Sequence, residues 1–332
     1  MQNHAVAFFS AAVGRALFQA ALTIIFLLMG RGIDGVLEAG VIAAITQGAF
    51  LGFLQIKDTG LSFCKSIAKQ SLIYSLPIMA SGLMAFTLNG LDRWVLAEVA
   101  TLEDVAQFGV AAKFALAVVL LLQPFGMWWM PKRFDVLYGE NGHQEATRFT
   151  SYGLVGAMVI AIGVAFAAPI AIDVLLPESY QFAAKLTAVL VAAALFKEMA
   201  ELVNLGTYAG KTSYAQLVIS AVSAVLAFLT LWWWGAEFGV FGVLAALLFA
   251  QSVRFLLFYF VGQRIFKLPY AAVPLCTLAA ICFVWLYVST MDMATVTRVV
   301  LVIVAPLSVC IVGQRLGLLP AFSTDLLRRR TA

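Results

Sequence analysis

The chain has 332 residues, 63% of them hydrophobic and only 11% charged, with a mean hydropathy of +0.98. A water-soluble domain cannot hide that much apolar surface, so the composition points to a polytopic membrane protein. The formal charge of +4 is too modest to suggest nucleic-acid binding, and what matters is how the Lys and Arg are shared between the two membrane faces.

Windows of about 20 mostly apolar residues, cut by short polar or Gly/Pro-bearing turns, predict about ten transmembrane helices. They run over residues 12–30, 36–55, 71–97, 105–130, 149–172, 182–208, 212–234, 239–262, 269–290 and 295–314. The expected fold is an all-α polytopic membrane protein with no soluble domain on either face. Residues 1–18 lack a basic leader and a small-residue cleavage site, so no signal peptide is expected. Cys64, Cys276, Cys282 and Cys310 show no metal or CxxC spacing and read as packing residues. No metal site and no cofactor are expected.

One set of alternate loops carries Lys57, Lys65 and Lys69, then Lys132, Arg133 and Arg148, then Lys211, then Arg264 and Lys267, and finally Arg315, Arg328, Arg329 and Arg330. The opposite set carries only Arg31, Lys185 and Arg298 alongside seven acidic residues, Asp34, Glu98, Glu103, Asp104, Asp173, Glu178 and Glu237. By the positive-inside rule the first set is cytoplasmic, and with ten spans both chain ends face the cytoplasm. Those basic loops read as topology signals and contacts with anionic membrane lipid. The longest of them, residues 131–148, reads as an interfacial amphipathic turn with solvated charges.

Residues 35–47, GVLEAGVIAAITQ, align with 239–251, GVFGVLAALLFAQ, at an offset of 204. The match suggests an internal repeat. On that basis residues 1–60 are the end of a first lobe, 61–265 a second lobe of six helices, and 266–332 two further helices with a basic tail. Gly48 with Gly52 and Gly235 with Gly239 have the spacing that lets helices approach closely.

Charges at membrane depth should face a polar interior. They are Arg15, the adjacent Asp92 and Arg93, Lys113, the cluster Lys197, Glu198 and Glu201, and Arg254. Arg15, close to a helix end, can snorkel to the interface. Lys197 and Glu201 lie four apart and can pair on one helix face, which leaves Glu198 for Arg254 of the eighth span. Arg93 and Lys113, on consecutive spans, fall at depths that let them share one cavity. Two cations and one anion would leave it net positive and suited to a phosphate group. Pro77 and Pro124, inside the third and fourth spans, are hinge candidates. The stretch from Gly206 to Thr212 imitates a phosphate-binding loop, but it has one residue too few between the glycines and follows a membrane helix, so nucleotide binding is rejected there.

The order of these features resembles a known family. Leu76 and Pro77 open a helix that ends in Asp92 and Arg93; a short loop follows, then the run from Phe108 to Lys113, FGVAAK, then Pro124 and an exit of Trp128, Trp129 and Pro131. Gly210, Lys211 and Thr212 enter a further helix. Together they are similar to the second lobe of polysaccharide transporters of the O-antigen flippase type, in the multidrug/oligosaccharidyl-lipid/polysaccharide exporter superfamily. The family often has Tyr where Phe108 stands. The resemblance implies two six-helix lobes about a central cavity, with a polyprenyl-diphosphate-linked oligosaccharide moved across the bacterial cytoplasmic membrane by alternating access. Against that pattern the first four helices are missing from the chain. The cavity residues implied are Asp92, Arg93, Lys113, Glu198 and Arg254. Partners would be the lipid-linked oligosaccharide, membrane lipid and polysaccharide-assembly proteins.

Two other functions fit the same composition. A cation-coupled drug exporter would use Glu198 and Glu201 as ion-carrying carboxylates. A membrane-embedded glycan polymerase or acyltransferase would need catalytic residues on sizeable outer loops. Those loops are short here and hold no histidine, so an enzyme is not expected.

Overall fold

The computed structural model describes residues 5–60, 62, 64–210 and 213–320, and Lys211, Thr212, Arg328, Arg329 and Arg330 lie outside them. The described chain is all helix, with no strand: α1 (Ala5–Leu28), α2 (Gly32–Thr59), α3 (Lys65–Val99), α4 (Leu102–Leu137), α5 (Gly142–Leu175), α6 (Gln181–Val203), a one-turn α7 (Leu205–Tyr208), α8 (Tyr214–Ile265), α9 (Ala272–Val288) and α10 (Thr295–Arg315). Among the described residues seven helices, α1 to α5, α8 and α10, are long and apolar enough to cross a membrane. The protein is a polytopic membrane protein of all-α class. Helix α9, at 17 residues, falls just short. Helix α6 falls short on charge, because every 18-residue window of it holds at least three of Lys185, Lys197, Glu198 and Glu201.

Each of the ten apolar windows coincides with a helix, or with half of one. Helix α8 has 52 residues and, if straight, would be about 78 Å long, more than twice the thickness of a bilayer core. It is broken at Gly239, whose φ of 57° and ψ of −134° suit only glycine. The added Cβ of Gly242 would strike the carbonyl of Trp234, eight residues back and about 12 Å away in an unbroken helix. The chain therefore folds back there, giving two helical segments where the sequence predicts two separate spans. The proposed repeat pairs Gly239, which is this turn, with Gly35, which has an ordinary backbone inside the first turn of α2. The two segments thus enter their helices out of step.

The chain divides into two compact units, residues 1–70 and 71–332. In the first, α1 and α2 form a hairpin whose turn carries glycines 30 and 32 at positive φ. The buried residues of α2 are Gly35, Ala39 and Ala43, a stripe of small side chains at a spacing of four. A Cβ on Gly35 would lie 2.8 Å from Phe26 Cβ, whereas Gly48 and Gly52 have open space beside them. Close approach in this hairpin therefore rests on Gly35, Ala39 and Ala43, and not on the Gly48 and Gly52 pair expected from sequence. Arg15 Nη1 donates to Gln47 Oε1 at 3.1 Å, so that cation is held between the two helices.

In the second unit α6 is central and packs on α4, α5 and α8, while α9 and α10 pack against α5. Small residues make this possible: Ala157, Ala161, Ala165 and Ala168 of α5 and Ala183, Ala188, Ala192 and Ala200 of α6 are all buried. The expected long turn at 131–148 does not exist as such. Helix α4 continues through Pro124 and Pro131 to Leu137, and α5 starts at Gly142, leaving residues 138–141 as the connection. Asn141, at a φ of 55°, makes that turn tight. The drop in hydropathy there does not mark the end of the helix.

Candidate functional site

Thr101 and Asp104 cap α4 reciprocally: the Asp104 N–H donates to Thr101 Oγ1 and the Thr101 N–H donates to Asp104 Oδ2, both at 3.2 Å. From that start Phe108, Ala112, Ala115, Leu116 and Val119 fall on one side of the helix, with Lys113 at its edge. Gln107, buried one position earlier, donates through Nε2 to the Ser179 carbonyl and accepts from the Ala183 N–H at 2.9 Å. It thereby satisfies a free donor in the first turn of α6 and fixes that helix against α4.

Between α3, α4, α6 and the second half of α8 lies a cleft of about 270 Å³. Its walls carry Asp92 and Arg93 from α3, Lys113 from α4, Lys197 from α6 and Gln251 from α8. Ala112, Ala115, Ala193 and Ala194 leave the space open. Asp92 and Arg93 lie about 10 Å before the end of α3, and Lys113 about 16 Å after the start of α4. The cleft thus begins about two turns from the α3–α4 turn and extends along α4 to nearly five, at Val119. Its described lining sets three cationic side chains against one carboxylate. Neighbouring residues on a helix do not face each other, and Asp92 and Arg93 make no salt bridge: Asp92 is buried while Arg93 is exposed. Asp92 Oδ1 and Gln251 Oε1 are both buried without a hydrogen-bond partner.

Arg93 and Lys113, expected from sequence to share one cavity, both line this cleft, with Asp92. Glu198 and Arg254, expected there too, are not in the lining. Arg254 also has a different partner from the one expected. Its Nη2 donates to Glu201 Oε1 at 2.6 Å, and Lys197, freed from Glu201, turns to the cleft. Glu198 is half-buried and makes no hydrogen bond or salt bridge among the described residues, and Lys197 and Arg254 are near enough to act on its charge. Pro77 lies buried within α3 and Pro124 exposed within α4.

One turn beyond Lys197 on α6, and three residues beyond Gln251 on α8, a second polar region begins. Glu201 Oε2 accepts from Asn204 Nδ2 at 2.9 Å, and Asn204 Oδ1 accepts from Arg133 Nη1 at 2.9 Å. The Arg133 guanidinium lies over the Tyr208 ring at 4.9 Å. Tyr74 of α3 donates to the Tyr208 carbonyl at 3.3 Å and accepts, at its own carbonyl, from Ser213 Oγ at 2.6 Å. Ser81 and Ser220 close the α3–α8 contact with hydroxyls 2.6 Å apart. Sequence patterning misses this network and places Arg133 in a solvated loop. The signal available is Asn204 at the end of a charged helix, a residue type rarely buried without partners.

No known protein family, curated protein or solved structure matches the chain.

Proposed function

We propose that the chain is a flippase, or part of one, that moves a polyprenyl-diphosphate-linked oligosaccharide across a bacterial cytoplasmic membrane for surface polysaccharide synthesis. The observation that carries this reading is the cleft itself: Arg93, Lys113 and Lys197 in one recess between helices, with Asp92 as the single carboxylate. Cations in a membrane protein interior are costly and mark the path of an anionic substrate. At about 270 Å³ the recess is at the small end of ligand sites and suits a diphosphate head better than a whole oligosaccharide. In this scheme the basic connections face the cytoplasm, as do both ends of the chain. The sugar portion and polyprenyl tail lie outside the recess. The substrate, membrane lipid and polysaccharide-assembly proteins are the partners the scheme requires.

The decisive experiment places Arg93→Ala and Lys113→Ala in the native gene and measures surface glycan, intracellular lipid-linked precursor and membrane level of the protein. Each variant is expected to lower surface glycan at least tenfold, with precursor accumulating and protein level unchanged. Normal surface glycan in both would overturn the reading.

One observation favours a cation-coupled exporter as the second reading, namely Glu198, half-buried on α6 with no salt bridge among the described residues and with Lys197 and Arg254 as the cations near enough to act on its charge. That reading requires Glu198→Gln to abolish pH-driven dye efflux from vesicles holding the full chain, and unaltered efflux would remove it.

A further inference from the structure

A second polar recess, of about 230 Å³, lies on the other side of α6 from the cleft. Gln181, Ala184 and Lys185 line it, while Leu190, Ala193 and Lys197 line the cleft, and helical periodicity puts the two sets on opposite sides of α6. The end of α5, the start of α6, the α9–α10 turn and the start of α10 form its walls, so it lies at one end of these helices. Seven of its nine lining residues are polar, and four are charged: Asp173 on α5, Lys185 on α6, Asp292 in the turn and Arg298 on α10. Arg298 Nη2 donates to the Met291 carbonyl at 3.4 Å, which ties the guanidinium to the turn that carries Asp292.

Here the charges balance, two carboxylates against two cations, and no salt bridge joins any of them among the described residues. A lone anion or a lone cation is drawn by one pair and repelled by the other, so it gains little from the recess as a whole. A dipolar group that carries both signs gains from both pairs. The volume is below that of a site for a drug-sized ligand and suits a small group. The recess sits where apolar helices give way to polar connections, the depth of lipid head groups around a membrane protein. On α5 and α10 an apolar groove of about 450 Å³ includes Val174 and Val299, the sequence neighbours of Asp173 and Arg298. That surface suits an acyl chain and offers nothing to a dissolved zwitterion. We propose that the recess holds the head group of a phospholipid bearing a primary ammonium and a phosphate, the ammonium on Asp173 and Asp292 and the phosphate on Lys185 and Arg298. A primary ammonium offers those carboxylates three N–H donors, and a trimethylammonium offers none. Phosphatidylethanolamine therefore fits, while phosphatidylcholine, with the same net charge, forfeits the hydrogen bonds. The site is independent of the cleft and of what the cleft carries.

The test incubates the purified full chain in detergent with equal amounts of phosphatidylethanolamine, phosphatidylcholine and phosphatidylglycerol of matched acyl chains, together with free phosphoethanolamine, and reads the retained molecules by native mass spectrometry. Wild type is expected to retain phosphatidylethanolamine about tenfold over each of the other two lipids, as one hydrogen bond between charged groups provides. Asp173→Asn combined with Asp292→Asn should bring phosphatidylethanolamine down to the level of phosphatidylcholine, and Lys185→Gln should lower both. If the paired variant does not fold, Asp292→Asn alone decides. Arg93→Ala and Lys113→Ala, in the cleft, should leave the preference intact. Equal retention of phosphatidylethanolamine and phosphatidylcholine by wild type, or a preference kept in the aspartate variants, would overturn the site. A preference for phosphatidylglycerol would also overturn it, by making the recess an anion site. Retention of phosphoethanolamine in place of the lipid would make the occupant a dissolved zwitterion and overturn the lipid assignment.

Discussion

The cleft and the polar network use the same residue types, one helical turn apart on α6 and α8, and treat them in opposite ways. In the network each charge has a partner: Arg254 has Glu201, Glu201 also has Asn204, and Arg133 has Asn204 and the Tyr208 ring. In the cleft Arg93, Lys113 and Lys197 make no salt bridge among the described residues, and buried unpaired atoms occur in both regions, Asp92 Oδ1 and Gln251 Oε1 in the cleft and the Nε atoms of Arg133 and Arg254 in the network. Salt-bridged charges hold helices together, and charges without a salt bridge are open to a partner from outside. Fold stability should therefore reside in the network and ligand response in the cleft.

The sharpest way to break that contrast is Glu201→Ala. It leaves the Arg254 guanidinium, 3% exposed, without its counter-charge. The expected loss is about 3 kcal/mol, at the low end for a broken buried pair because the Glu201 side chain is 37% exposed. A thermal-shift assay in detergent would register it, and pairing Glu201→Leu with Arg254→Met should recover most of it. An unchanged melting temperature in Glu201→Ala would mean that the network is not what holds α6 to α8. Next in size is Gly206→Ala. Its Cβ would fall 2.8 Å from the Gly262 carbonyl oxygen, a backbone atom with little room to yield. A loss of about 2 kcal/mol is expected, readable in the same assay. Arg133→Ala should cost about 1 to 2 kcal/mol through the lost Asn204 bond and the ring contact, with Arg133→Lys recovering part of it. The smallest effects belong to the cleft. Arg93→Ala and Lys113→Ala should move stability by less than about 0.5 kcal/mol, since both side chains are exposed and unpaired. A large drop in either would make the cleft a structural element like the network and erase the distinction.

How far the two regions are legible from the amino-acid order differs for a physical reason. The helices are legible because apolar length alone sets them, and even the fold-back within α8 follows from Gly235 and Gly239 between two apolar runs. Arg93 and Lys113 are legible because each is an isolated cation on its span, so depth suffices to bring them together. The network is not. On α6 the i,i+4 rule joins Lys197 to Glu201, a contact worth only a few tenths of a kcal/mol on its own, and a buried guanidinium from another helix outweighs it. Gln251 escapes notice for a related reason. Nothing in a lone amide within an apolar run says whether its oxygen will find a donor, and that depends on neighbours from fifty to more than a hundred residues away. Arg133 is misplaced because hydropathy reports where lipid ends, while α4 continues for another two turns past Trp129.

The two prolines of α4 have a mechanical consequence. Pro124 and Pro131 each displace the carbonyl four residues back and open the helix on the proline's own side. Seven residues span nearly two whole turns, so both openings fall on one edge of the rod and add instead of cancelling. That edge is roughly a third of a turn, about 120°, from the side on which Phe108, Ala112 and Val119 line the cleft. Helix α4 thus has one direction in which bending is easiest, and Lys113 sits on its proline-free N-terminal half.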